Sequence, residues 1–358
     1  MIRGSPSTGP NDTETPASHD HGPAGQVDAK GATERASVAP WHGFHDNSAM
    51  PIRQTADFTE DHVDAAAAVL ARRHRAHQHQ CPHLPEVSSF TEHVRSALDG
   101  ATGSVALEGG EVVGYLLGKH TTDDVGPHIW SHVAGHAADD GEMVRELYAH
   151  AAGRWVDEGM RRHFVFVPAI PSLVDPWFRL SFGASAVLAA QHATTPPAWS
   201  APGVTVRRVE QADFAEVARL ERLLYAELLE SPSFSGIRVG TFEEFEAEWI
   251  EGESDERFVK FCAEVDGDVV GQLFLYRRPG GDLRVPPRSI DLASATTEPR
   301  FRGRGVATAL MWTAVGWAHE HGVETIITDW RLTNLRAARF WPRRGFEETY
   351  LRLYRAIP

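Results

Sequence analysis

Three arginines in five residues, Arg300, Arg302 and Arg304, fall within Thr297-Glu298-Pro299-Arg300-Phe301-Arg302-Gly303-Arg304-Gly305-Val306-Ala307. The residues before this stretch, 289–296, read as a strand. Those after it, from Val306 to about His321, read as an amphipathic helix with Val306, Leu310, Ala314 and Trp317 on one face. A helix start offers unpaired N–H groups and the positive end of the macrodipole. Gly303 and Gly305 let the backbone turn tightly and approach a ligand closely. The chemistry suited to such a turn is the binding of a pyrophosphate. The formal net charge of −14 makes this local cluster of cations more telling.

Two phosphate loops do not fit. A Walker A loop ends in Gly-Lys-Ser/Thr, which is absent here. A dinucleotide fingerprint needs a third glycine in an early, all-parallel unit, and this turn lies late in the chain. What remains is Arg300-x-x-Gly303-x-Gly305 between a strand and a helix. Downstream come a stop at Gly322, an apolar strand at 325–330, and then Asn334-Leu335-Arg336-Ala337-Ala338-Arg339-Phe340-Trp341-Pro342-Arg343-Arg344-Gly345-Phe346. Asn334 is placed as a helix cap. Gly345 stands where a helix ends in a left-handed residue. A strand at 348–354 finishes the chain. The two motifs, in this order and spacing, resemble the acyl-CoA loop and the second signature of the GNAT superfamily of N-acyltransferases, most closely over residues 203–358.

That resemblance implies an α/β fold (an α+β mixed sheet flanked by helices), acetyl-CoA as acyl donor and no metal. It implies that the turn from Arg300 through Arg302, Gly303, Arg304, Gly305 and Val306 to Ala307 holds the diphosphate. Ala295 and Thr297 would pair their backbone with the pantetheine arm, and Asn334 and Trp341 would approach the cofactor from the second motif. The acceptor would be a primary amine of a small molecule or peptide.

The rest of the chain reads as an internal repeat. Ile52-Arg53 followed by Ala56-Asp57-Phe58 returns as Val206-Arg207 followed by Ala212-Asp213-Phe214. ALEGGEVVG at 106–114 returns as AEVDGDVVG at 263–271, each a hairpin around a glycine turn. Trp177 to Gly183 echoes Phe340 to Phe346. We therefore expect two tandem acyl-CoA N-acyltransferase-like domains, at 50–192 and 204–358, joined by a Pro-rich linker at 193–203. Residues 1–49 carry few large apolar side chains and are expected to be a disordered leader, with Met50 the natural domain start. In the second half, Asp213 should cap a helix with Glu216 completing a capping box. The order β-α-α-β-β-β-α-β-α-β follows. In the first half the phosphate turn is replaced by Gly135-His136-Ala137-Ala138-Asp139-Asp140-Gly141-Glu142, whose carboxylates would repel a pyrophosphate. That copy is expected to be degenerate.

Composition narrows the setting. A chain of 358 residues with 42% apolar residues suits a soluble globular protein, and no apolar run reaches the ~20 residues of a membrane span. Cys81 and Cys262 alone form no disulfide framework and suit a reducing cytoplasm. The acidic balance argues against nucleic acid as a partner. Lysine occurs only at 30, 119 and 260, an arginine bias of GC-rich bacterial genomes. Nothing in the sequence defines an oligomeric state.

Acyl transfer to an amine needs a proton acceptor. The nearby carboxylates are Asp291 on the strand before the turn, Glu298 beside it and Asp329 at the end of the next strand. Strand alternation places Asp291 on the side of Ala293, Ala295 and Thr297. An ordinary salt bridge to Arg331 or Arg352 is the competing role for Asp291 and Asp329. Where the family often has tyrosine as thiolate acid, this chain has Trp341, whose indole N–H cannot supply a proton. Tyr350, Tyr354, Tyr225 or solvent would substitute. The run His74, His77, His79, Cys81, His83 matches no common zinc spacing and reads as a solvated helix-to-loop segment. The acidic helix bearing Glu243, Glu244, Glu246 and Glu248 reads as an exposed face. A non-catalytic acyl-CoA binder is the alternative from another class. A thiol-precursor acetyltransferase resembling mycothiol synthase is a narrower one, supported by the tandem layout alone.

Overall fold

Paired left-handed residues close the two hairpins of the repeat: Gly109 and Gly110 in the first, Asp266 and Gly267 in the second. Such pairs form the tight turn whose twist matches antiparallel strands. The computed structural model describes residues 53–123 and 126–358; the expected leader at 1–49 lies outside them. In the first half the elements are β1 (Arg53–Asp57), α1 (Val63–Gln80), α2 (Thr91–Leu98), β2 (Ala101–Glu108), β3 (Glu111–Asp123), β4 (Gly126–Ser131), β5 (His136–Ala138), α3 (Gly141–Asp157), β6 (Arg162–Pro168), α4 (Pro171–Arg179) and β7 (Gly183–His192). The second half has β8 (Thr205–Arg208), α5 (Phe214–Leu229), α6 (Phe242–Glu251), β9 (Phe258–Val265), β10 (Asp268–Tyr276), β11 (Ser289–Thr297), α7 (Val306–Glu320), β12 (Thr325–Arg331), α8 (Leu335–Phe340) and β13 (Glu347–Ala356). Apart from the short β5, the order is the same in both.

The repeated hairpin glycines have a packing reason. A Cβ on Gly114 would stand 2.4 Å from Met143 Sδ in α3, and one on Gly271 would stand 2.8 Å from Val306 Cγ1 in α7. Only a bare Cα lets the first turn of each helix settle on the sheet.

The strands form one continuous sheet in the order β1-β2-β3-β4-β6-β13-β7-β12-β11-β10-β9-β8, with β5 attached to β3. The last strand of each half is exchanged. β13, from the second half, pairs antiparallel with β6 of the first. β7, from the first half, pairs antiparallel with β12 of the second. β7 and β13 join at the centre. Neither half closes its own sheet.

On one face of the second half, α7 packs over Leu273, Leu275, Ile290 and Leu292. On the other, α5 and α6 cover Cys262 and Phe274. The expected capping box lies one turn earlier than Asp213–Glu216: Glu210 N donates to Asp213 Oδ2 at 2.8 Å, and Arg207 pairs with the same carboxylate. Arg207 enforces this, because a carboxylate bidentate to a guanidinium is turned away from the helix amides.

The histidine-rich run is not a solvated segment. His74, His77, His83 and Cys81 are buried, and His79 alone of the five is exposed. His77 stands edge-on to the Tyr350 ring of β13. Alternation of polar and apolar residues concealed this, because α1 buries a polar stripe together with its apolar one. Among the described residues, no group of three or more His, Cys, Asp or Glu could hold a metal ion. Cys81 and Cys262 are free and buried. No described helix is long and apolar enough to cross a membrane.

Candidate active site

The site begins where two parallel strands part. β11 and β12 are paired only from Ser289/Thr325 to Leu292/Thr328. Beyond that point residues 293–297 ladder only with β10, and residues 329–331 only with β7. A bulge at Ala293 accompanies the opening: Leu292 faces Leu275, whereas Ser294 faces Phe274. The extra residue overturns the simple alternation expected for Asp291. Asp291, opposite Tyr276, lies on the α5/α6 face with Ser294 and Thr296. Ala295 and Thr297, opposite Leu273 and Gly271, lie on the α7 face. The opening therefore joins two compartments, and the candidate residues are divided between them.

On the α7 side is the glycine-arginine turn. Gly303 and Gly305 have φ of +77° and +87°. Gly305 is the N-cap of α7, and no side chain caps that helix. Among the described residues, no acceptor meets the N–H groups of Gly303, Arg304, Gly305, Val306 or Ala307. A Cβ on Gly303 would meet nothing within 4 Å, whereas one on Gly305 would stand 3.0 Å from Ala201 and 3.1 Å from Trp199 of the linker. Sequence reasoning gave those linker residues no such role. Arg300 and Arg304 are exposed and lie over the Phe301 ring at 4.9 and 5.2 Å. Arg302 is turned away: it pairs with Glu227 of α5 and donates to Thr297 O at 3.2 Å. Glu227 also accepts from Arg336 in α8 at 3.0 Å. Asn334 caps α8 through Ala337 N at 3.3 Å. Trp341 is buried between Phe340 and Phe346. Two buried donors on this side, Thr297 Oγ1 and Trp330 Nε1, have no partner among the described residues.

At the equivalent point of the first half, the chain's own carboxylates occupy the helix start. Asp140 caps α3 by accepting from Met143 N at 2.9 Å and also pairs with Arg53. Asp139 pairs with Arg72. Pro176 of α4 stands 2.6 Å from where a Gly141 Cβ would lie, and the hollow beside Trp177 holds only about 20 Å³. A groove of about 520 Å³ between Pro85–Ser89 and the loop at 277–289 lies away from the glycine turn and at the other end of β11.

The α5/α6 side carries the carboxylates. Asp291 is 3% exposed and forms an ion pair with Arg278, not with Arg331 or Arg352. Burial pushes its carboxyl up, and Arg278 opposes that. Glu298 pairs with Arg219 at 2.7 Å. Asp329 is exposed, with no ion pair among the described residues. Its charge is felt at Asp291, Arg278, Arg331, Arg352 and Tyr225. Burial, then Glu221, Glu248 and Asp329, push the Tyr225 hydroxyl up to about 12. Tyr350 is wholly buried, and Tyr354 packs against Phe164. In the acidic helix, Glu243, Glu244 and Glu248 are exposed.

Glu221 went unnoticed in the sequence, although it breaks the apolar stripe Val217–Leu220–Leu224. It accepts from Trp249 Nε1 at 2.7 Å, and burial pushes its carboxyl up to about 7. A raised carboxyl favours the fold fully below its ordinary value near 4.5, and that contribution is lost as pH rises through about 7. Glu221→Gln keeps the acceptor for Trp249 and removes the charge. It should stabilise the protein at pH 8.5 by on the order of 2–3 kcal/mol and leave it unchanged near pH 5. Urea titrations at both pH values check this; an equal effect at both would remove Glu221 as its source.

Residues 223–346 match the family model described as Acetyltransferase (GNAT) family. The match to that family lies within the second half, and the fold of the chain as a whole is that of acyl-CoA N-acyltransferase-like domains in tandem. A GCN5-related N-acetyltransferase from Sphaerobacter thermophilus is similar over 85% of this chain and 95% of its own, with TM-score 0.54 and 18% identity. The GCN5-related glucosamine N-acetyltransferase region of a fungal multi-domain GH3 β-N-acetylglucosaminidase is similar over 86% of this chain and 38% of its own, with TM-score 0.53 and 14% identity. A tandem GNAT protein of the clavulanic acid biosynthesis pathway overlaps 85% of this chain and 97% of its own, with TM-score 0.44 and 13% identity. No curated protein sequence matches the chain.

Proposed function

We propose that the chain transfers acetyl from acetyl-CoA directly to a primary amine of a small molecule or peptide, in its second half. The observation that carries this reading is the row of unpaired amides from Gly303 to Ala307 beside the opening between β11 and β12. Donors without acceptors next to an open gap are what an anionic, extended ligand completes. The fit is supported by the clear space over Gly303, the unpaired cations Arg300 and Arg304, and the orphan donors Thr297 Oγ1 and Trp330 Nε1 on the same face. When bound, the CoA thioester supplies an activated acyl group. Each amide donated to a phosphate oxygen contributes about 1.5–3 kcal/mol.

The amine enters from the opposite face. Asp329, exposed and unpaired at the end of β12, attracts a cationic amine and accepts its proton directly or through water. Asp291 and Glu298 are engaged by Arg278 and Arg219 and position rather than take protons. A hydroxyl held near 12 releases its proton less readily than a thiol near 8.5, so Tyr225 donates a hydrogen bond to the leaving sulfur and solvent protonates it. The first half, residues 50–192, does not hold CoA in this reading, because Asp140 occupies its helix start. It braces the second half across the linker at 193–203.

Gly303→Val tests the reading in the full chain. The new side chain enters open space, so the cost to the fold is the positive φ alone, about 1–2 kcal/mol. CoA affinity should fall at least ~100-fold by calorimetry, the loss of two amide contacts. An unchanged affinity removes the assignment. The rival, an acyl-CoA binder without turnover, draws support from Trp341, which is packed in the core where a tyrosine acid is usual. Single-turnover thiol release with a panel of amines decides between them.

A further inference from the structure

Two guanidinium groups stand side by side on the acceptor face without an acid between them. Arg331 on β12 and Arg352 on β13 are both in register with Ala186 of the intervening strand β7. Residues opposite each other in antiparallel pairs share a face, so both side chains rise from the same side, across a single methyl group. The Arg331 guanidinium forms no hydrogen bond or ion pair among the described residues, and Arg331 lies two residues along β12 from the exposed Asp329. Arg352 is 9% exposed. Its Nε donates to Ser185 Oγ at 3.2 Å, and its Nη2 is buried without a partner among the described residues. The Trp130 ring, 6.0 Å away, is its other neighbour.

A buried cation with an idle donor beside a second cation carries a large electrostatic cost when left alone. The acid that would neutralise it is elsewhere: Asp291 is held by Arg278, and Asp329 lies along β12 rather than between the guanidiniums. Burial, and after it Arg331, lower the Arg352 guanidinium to about 10, which leaves it charged at neutral pH. Planar forks of N–H donors match the paired oxygens of a carboxylate or phosphate.

We propose that Arg331 and Arg352 form a receptor for an anionic oxygen group of the acceptor, so that the substrate class is a primary amine that also carries a carboxylate or a phosphate. Asp329 meets the amine, and the arginine pair, one to two strands further on, meets the anion. The site becomes complementary to a dipolar molecule whose two ends orient its amine toward the gap between β11 and β12. This deepens the acetyl-transfer reading and rests on it for the identity of the acceptor. The anion receptor itself stands on the arginine pair.

The test therefore has two arms. In the first, inorganic phosphate and acetate are titrated into the full-length Gly303→Val protein, whose glycine turn is disabled, and arginine side-chain NMR signals are followed. Both anions should shift Arg331 and Arg352, and Arg331→Gln in the same background should abolish the shifts. Arg352→Gln should also abolish them and raise the thermal unfolding temperature, an outcome that separates binding from a structural role. In the second arm, thiol release from acetyl-CoA is measured with β-alanine, 2-aminoethyl phosphate and propylamine. At least one anionic amine should exceed propylamine ~10-fold or more in kcat/KM, and which one leads distinguishes carboxylate from phosphate. Arg331→Gln should erase that preference through KM while CoA affinity stays unchanged. Absence of anion-dependent shifts at the pair, or equal use of neutral and anionic amines by both proteins, overturns the proposal. Anion binding at the pair together with CoA binding but no turnover of any amine would remove the acetyl-transfer reading and leave the receptor.

Discussion

Residues 204–358 produced alone should not fold to a monomer, whereas the same fragment produced together with residues 1–203 should assemble and bind CoA. The exchanged strands require it. Without the first half, β12 loses its ladder from Thr325 to Arg331 against β7, and β13 loses both its neighbours, β6 and β7. The severed edges would be long and central, and such edges pair with other chains. Core residues Val187 and Ala189, which come from β7, would also leave the cluster under α7. A domain's whole stability is only about 5–15 kcal/mol, less than the loss of three strand interfaces. A chain cut within the linker at 193–203 with both pieces present should remain folded, because the ladders cross between the pieces without it. Circular dichroism and size-exclusion of the fragment alone, and of the co-produced pair, check this. A monomeric, cooperatively unfolding 204–358 fragment would contradict the exchange.

Lowering the pH from 7 should destabilise the protein steeply, well before its carboxylates are protonated. His74, His77, His136 and His163 are each at most 5% exposed. Burial is the leading cause in all four. It lowers His74, brings His77 and His136 to about 3, and brings His163 to about 4. The nearby Arg73 cation lowers the first three further. A depressed histidine contributes stability above its ordinary value near 6.5, and the contribution is lost as pH falls toward the folded value. The three brought to about 3 or 4 each add about 1.4 kcal/mol per pH unit to the slope, together about 4 kcal/mol per unit near pH 5, and His74 acts in the same direction. Glu221 pulls the other way over part of the same range, but it is one group against four. Unfolding should therefore be complete between about pH 5 and pH 4, given a total stability of about 5–15 kcal/mol. Denaturant midpoints from pH 7 to pH 4.5 measure the slope. His77→Phe, which keeps an aromatic ring against Tyr350, should lower proton uptake on unfolding by about one. A flat profile down to pH 4.5 would mean that these imidazoles are not held neutral.

Much of the local structure was legible in the amino-acid order. The turn around Gly303 and Gly305, the cap at Asn334, the left-handed Gly345 and the paired hairpin turns depend on residues within a few positions of one another. The repeat was legible too, because Gly114 and Gly271 must both clear a helix. The Arg278–Asp291 pair, the diversion of Arg302 to Glu227 and the seat of Gly305 against Trp199 were not, since the first joins a loop to a buried strand face and the partners in the other two lie far along the chain. The bulge at Ala293 was also hidden: strand alternation is a property of a regular ladder, and one added residue reverses the face of everything after it.

By itself, then, the sequence determined the elements, their order, the glycine-arginine turn and the acids that replace it in the first half, all of which follow from short-range backbone geometry and charge. The tertiary structure alone decided which strands close the sheet, which face each carboxylate occupies and which arginines remain without an acid. Those outcomes depend on register and burial, which arise only when segments separate in sequence are brought into contact, and the exchanged strands are more than a hundred residues apart.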